Sequence, residues 1–178
     1  SFKEDQIIMQ FTAQKITPFL WFDTQAEEAA KFYVSVFKNS KVGKTTRYGK
    51  EGYEKHGMPA GTAMTVEFEL EGQHYVALNG GPHFKFNEAV SFQVHCKSQE
   101  EVDYFWQKLT ESPDAKVQQC GWLKDQFGLS WQIIPDMLGQ LMQDPDREKA
   151  GRVMNAMLQM KKIDVQALQR AYDGKAHA

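Results

Sequence analysis

The stretch "AVSFQVHCKSQEEVDYFWQKLT", residues 89–110, reads as one strand followed by one helix, and the fold turns on finding that pattern twice. Residues 89–96 alternate, with Phe92, Val94 and Cys96 on one face and Ser91, Gln93 and His95 on the other. That two-residue period belongs to a half-buried strand. From Ser98 the period lengthens: Val102, Phe105, Trp106 and Leu109 recur at helical spacing. Ser98 with Glu101 reads as a capping box, which satisfies free amides at a helix start.

An earlier segment, "TQAEEAAKFYVSVF" (24–37), repeats the theme, with Ala29, Phe32, Tyr33, Val36 and Phe37 on one helical face and Thr24 with Glu27 as its capping box. Phe32-Tyr33 stands 73 residues before Phe105-Trp106, as do Glu27-Glu28 before Glu100-Glu101 and Val36 before Leu109. The two capping boxes disagree with this register by one residue. "ITPFLWFD" (16–23) has strand length before the first helix. Strands are expected after it at 41–49, 62–70 and 74–79, the first two separated by the polar "GKEGYEKHGMPAG". After the second helix they are expected near 116–119, 121–125 and 129–134.

Strand, helix and three strands, done twice, give an α+β fold of tandem βαβββ modules. One helix covers only one face of a four-stranded sheet, so two bare faces curling into a cup between modules make the natural pocket. The expected segments are 14–82, 83–135 and a helical extension, 136–178. In that extension Met154, Met157, Leu158 and Met160 stripe one helix, Asp164 caps a second, Ile163 and Leu168 occupy staple positions and Gly174 ends it.

Composition excludes several classes. The net charge of −2 gives no bulk attraction to nucleic acid or anionic lipid, and no apolar run approaches the roughly 18 residues of a membrane span. Acidic residues in "SFKEDQIIMQ" argue against a signal peptide, and Met9 is a candidate start. Two cysteines, Cys96 and Cys120, fit reduced thiols in a cytoplasmic protein better than a secreted disulfide framework.

"NGGPHFKFNEAVSFQVHC", "EEVDYFW" and "CGWLKDQFGLSWQIIP" (120–135) together resemble the vicinal oxygen chelate superfamily, which includes glyoxalase I, extradiol dioxygenases and the fosfomycin and bleomycin resistance proteins. The resemblance, over about residues 14–174, is to its PhnB-like branch, often labelled 3-demethylubiquinone-9 3-methyltransferase. It implies a divalent metal held by His, Gln or Glu from the first and last strands of each module. The family pattern puts those positions at Pro18, Ala77, Ser91 and Gln132; a one-residue slip would put Thr17 first but turn its side chain away. Only Gln132 is a plausible ligand, so no metal and no cofactor is expected. The methyltransferase label lacks its residues too, because the first strand runs into "FDTQAEEAA" without the glycine-rich turn that binds S-adenosylmethionine.

Strand alternation in "FGLSWQII" turns Leu129, Trp131 and Ile133 to the helix layer and Ser130, Gln132 and Ile134 to the cup. Ser91, Gln93 and His95 join Gln132 there. Tyr75 and Asn79 are expected from the first module, with Leu20 and Phe22 as apolar wall. Such a cup, without full charges, suits a small neutral aromatic ligand. The leading function is metal-independent small-molecule binding. An enzyme with a non-standard metal or a side-chain acid and base, and an interaction module dimerising through the tail helices, remain alternatives; catalytic residues are not assigned. Uncovered sheet edges and the Met-rich tail point to a homodimer.

Overall fold

Alternation and helical spacing become paired strands and packed helices in a computed structural model that describes residues 14–175. The opening segment with Met9, and residues 176–178, lie outside the described residues. The chain divides after Lys85 into two compact units.

The first unit runs β1 (Phe19–Phe22), α1 (Ala26–Val36), β2 (Lys41–Arg47), α2 (Tyr53–His56), β3 (Ala63–Leu70) and β4 (Gln73–Asn79). The strand order is β1-β4-β3-β2, with β1 parallel to β4 and the other pairs antiparallel. Glu71 and Gly72, both at positive φ, make the tight turn between β3 and β4. Helix α1 buries Ala26, Ala29, Ala30, Tyr33 and Val36. Phe32 and Phe37, placed on that face by spacing, are only half-buried. The small alanines let α1 lie close to Val66, Phe68 and Leu70 of β3, where Tyr33 stacks on Phe68 with ring centroids 6.0 Å apart.

The capping box expected at Thr24 and Glu27 does not form. The N-cap is Gln25, without a side-chain bond. The helix start is held instead by Asn79 at the end of β4, whose Oδ1 accepts from Ala26 N at 2.8 Å. The 73-residue register accounts for this, because it pairs Gln25, not Thr24, with Ser98.

The second unit runs β5 (Ser91–Cys96), α3 (Gln99–Thr110), β6 (Lys116–Val117), β7 (Trp122–Lys124) and β8 (Ser130–Pro135). Its order, β5-β8-β7-β6 with β5 parallel to β8, repeats the first. Here the local cap forms, with Ser98 accepting from Glu101 N and Lys97 N donating to the Glu101 carboxylate. Val102 and Leu109 are buried under α3, with Leu123, Trp131 and Ile133 on the facing strands, while Phe105 and Trp106 are half-buried.

The extension has three helices where two were expected: α4 (Asp136–Met142), directly after β8, then α5 (Arg147–Leu158) and α6 (Val165–Tyr172). Leu138, Val153, Ile163 and Leu168 form their core. The methionine stripe is split, since Met157 and Met160 pack on that core and Met154 faces out with Leu158. Asp146 and Asp164 cap α5 and α6 through Oδ1. Backbone bonds tie the extension to the second module: Cys120 N donates to Met160 O, and Gly121 N to Lys161 O, each at 2.8 Å. Gln99 grips the chain before α6, donating to Ile163 O and accepting from Val165 N. Among the described residues no helix is long and apolar enough to cross a membrane.

Candidate functional site

Each sheet has one face covered by its own helix and one turned away from it. In the second unit, register brings Ser91, Ser130 and Lys124 into one row on the face away from α3. Gln93, Gln132 and Trp122 form the next row, and His95 with Ile134 the last. Gln132 Nε2 donates to Ser91 Oγ at 2.9 Å. Ser130 is fully buried, and its Oγ has no hydrogen-bond partner. Lys124 is paired with Glu88, which lowers the Glu88 carboxyl below its ordinary value. His95 is largely exposed, its Nδ1 3.5 Å from Asp136 Oδ1.

Behind this face Asp125 holds the β7–β8 turn. The residue is 1 % exposed, and its carboxylate accepts from Phe127 N, Leu129 N and Trp131 Nε1 at 2.8, 3.1 and 2.8 Å. Trp131 is therefore core, with its indole N–H satisfied. Asp125 was not singled out from sequence; the signal was an aspartate opening a "DQFG" turn shortly before an indole that needs an acceptor.

In the first unit the uncovered face differs from expectation. Phe22 pairs with Asn79, and Leu20 with Ala77, and all four are buried on the α1 side. Tyr75 pairs with Phe68 there and stacks on it at 5.4 Å, and burial pushes its phenol up from the ordinary value. Phe22, Tyr75, Asn79 and Leu20 thus belong to the helix-covered face. Polarity misassigned them: the Asn79 amide is spent on Ala26 N and on Ala63 O, to which it donates at 3.0 Å.

The face away from α1 carries Phe19, Trp21, Val76 and Leu78, with Thr65, Glu67, Glu69 and His74. The expectation of no full charge is corrected accordingly. His74 and Lys41 flank Glu69 at 3.4 and 3.6 Å. A cavity of about 220 Å³ opens beside Thr17, Phe19, Glu67, His74, Tyr75 and Val76, so Tyr75 lines this space even though its ring stacks on Phe68. Trp21 is fixed by donating to Gly81 O at 2.9 Å, and a Cβ on Gly80 would lie 2.2 Å from its ring. Gly80 therefore serves close packing.

The superfamily's divalent metal does not fit these residues. Ala77 is buried against the helix layer, its neighbours Val76 and Leu78 offer no donor, and the Gln132 amide oxygen would be a single neutral ligand, its Nε2 being on Ser91. Among the described residues no group of three or more His, Cys, Asp or Glu could hold a metal ion. S-adenosylmethionine fits no better, since β1 is an edge strand running into α1 through Asp23–Gln25 without glycine. Burial and nearby Glu101 and Asp136 push the Cys96 thiol up to about 12.

Two four-stranded mixed sheets of the same order, each built from a βαβββ module, define the vicinal oxygen chelate class. Within it, residues 14–134 match the family described as 3-demethylubiquinone-9 3-methyltransferase, and the chain belongs to that PhnB-like family. It is 34 % identical to the PhnB protein from Bacillus cereus, which bears that methyltransferase name provisionally, over 68 % of this chain and 99 % of that one, with a TM-score of 0.60. Protein PA1353 from Pseudomonas aeruginosa is 17 % identical over 68 % of this chain and 97 % of its own, with a TM-score of 0.53, and shares the fold. Among curated proteins none matches.

Proposed function

We propose that this chain is a small-molecule-binding protein that works without a divalent metal and takes its ligand on the second sheet's face away from α3. The observation that carries the reading is Ser130. A buried hydroxyl with no partner costs about 1–3 kcal/mol; Ser130 has no exposed surface, so a ligand group recovers that cost by displacing what covers it. Ser130 lies in the row of Ser91, one row from the Gln132 amide, which pairs with Gln93. Trp122 and Ile134 on the same face add apolar surface, and Lys124 is neutralised by Glu88. Neutral donors and acceptors beside an indole suit an uncharged ligand with an aromatic body and one polar group. Phosphorylated compounds would need a free cation that these rows do not offer.

A thermal-shift screen of uncharged aromatic amides and phenols against phosphorylated sugars tests this. Uncharged hits are expected, stabilising by about 2.7 kcal/mol at 100 times their dissociation constant. Ser130→Ala separates ligand binding from folding: it should leave the unliganded protein as stable or slightly more stable, while Ser130→Ala and Gln132→Ala each reduce the shift. Hits restricted to phosphorylated compounds, or hits indifferent to both substitutions, would sink the proposal.

The working form is proposed to be a cytoplasmic homodimer. Supporting this are two free cysteines and a first-sheet edge, β2, whose seven residues are all exposed. Light scattering at micromolar concentration reads the dimer directly.

A further inference from the structure

The family match ends at residue 134, so α5 and α6 are an addition to the shared fold. Between them opens a cavity of about 570 Å³, within the range of small-molecule sites. Its lining is unusual for a chain with 23 acidic and 21 basic residues: Arg152, Arg170 and Lys175 border it, and among the described residues no carboxylate does. Arg152 is fixed in place, with Nε donating to Ala171 O at 2.8 Å and Nη2 to Tyr172 O at 2.7 Å. Its Nη1 lies 3.9 Å from the exposed Glu148. Gly174, at φ +71°, turns the chain just beyond α6, where a Cβ would meet that guanidinium at 3.6 Å. Ala156, Met160 and Ala171 form an apolar floor.

A fixed guanidinium, two further cations on the rim and an apolar floor make a site of two halves. The cations match a planar carboxylate, which arginine bonds through parallel N–H donors. The floor matches a hydrocarbon body, which an inorganic anion lacks. We propose that the cavity between α5 and α6 is a second binding site, for a small amphiphilic carboxylate whose headgroup meets Arg152, Arg170 and Lys175 and whose apolar body lies on Ala156, Met160 and Ala171. An anionic membrane surface is a poorer match, because the exposed Asp164 and Asp173 place negative charge at both ends of α6.

Calorimetric titration of the full chain with decanoate, decanol and acetate tests the two halves separately. Decanoate should bind at least tenfold more tightly than either alternative, since decanol lacks the charge and acetate the body. The double variant Arg170→Gln/Lys175→Gln, which leaves the structural Arg152 untouched, should weaken decanoate at least tenfold without moving the melting temperature. Ala156→Leu, which fills the floor, should do the same. Ser130→Ala and Gln132→Ala should leave decanoate binding intact, which separates this site from the one on the second sheet. Decanoate binding no tighter than decanol, binding unchanged in the double variant, or loss through Gln132→Ala would each overturn the proposal. So would recruitment to phosphatidylglycerol vesicles by a protein that ignores decanoate.

Discussion

In the first module the helix start is held from a distance, by an asparagine 53 residues further along the chain. In the second it is held by the serine that opens the helix. The strand order is the same in both, so the difference lies in how the buried amides are satisfied. A local cap forms as soon as the helix does. A remote one exists only when β4 is in place beside α1, which ties helix formation to sheet formation. The uncovered faces differ as well: Glu67, Glu69 and His74 stand among aromatics on the first, and neutral amides and hydroxyls dominate the second. Similar scaffolds thus carry different chemistry, and only one of the two faces carries an unsatisfied hydroxyl among the described residues.

The sharpest break in the comparison comes from the second module's own buried organiser. Asp125→Ala strands three donors, including the Trp131 indole, and should cost about 3–5 kcal/mol in urea unfolding. A cost below about 1 kcal/mol would mean that the β7–β8 turn is organised by something else. Asn79→Ala comes next, at about 2–3 kcal/mol, because it frees both Ala26 N and Ala63 O in a buried site. Adding Gln25→Ser to that variant should return about 1 kcal/mol by supplying the first helix with a local cap of the second's kind. No recovery would show that α1 cannot use a cap at that position. Ser98→Ala should cost only about 1 kcal/mol, the ordinary worth of an exposed N-cap.

The smallest effect is electrostatic. Asp103 is held below its ordinary value by bonds from Lys162 and Gln99. A lowered carboxylate stabilises the fold above its unfolded-state value and loses that contribution as pH falls through the folded one. Asp103→Asn should therefore lower the melting temperature slightly at neutral pH and not at all near pH 2. An effect independent of pH would assign the loss to packing.

The repeat was legible because burial wrote it directly into the residues. Ser91, Gln93 and His95 alternate with Phe92, Val94 and Cys96, so the second module's faces follow from polarity alone. Polarity misleads in the first module, where Tyr75 and Asn79 are polar and face the helix layer, one stacked on Phe68 and the other spent on backbone. No pattern within β4 distinguishes an amide reaching for a ligand from one reaching for a helix 53 residues away. The cavity between α5 and α6 was illegible for a similar reason. Arg152, Arg170 and Lys175 sit apart in sequence and converge only when two helices pack.

Gly121 has a consequence for descent. At φ +84° it accepts from Ile133 N and donates to Lys161 O, and a Cβ there would lie 3.0 Å from Ile133 O and 3.2 Å from Ile163. Half of that constraint comes from the module and half from the extension, as does the grip of Gln99 on Ile163 and Val165. A lineage that shed the three helices would leave Gln99 only its bond to Asp103 and relax Gly121 on one side. Residues 99 and 121 should then drift in shorter cousins and travel together with residues 160–165 in longer ones, an inherited signature of when the helices were acquired.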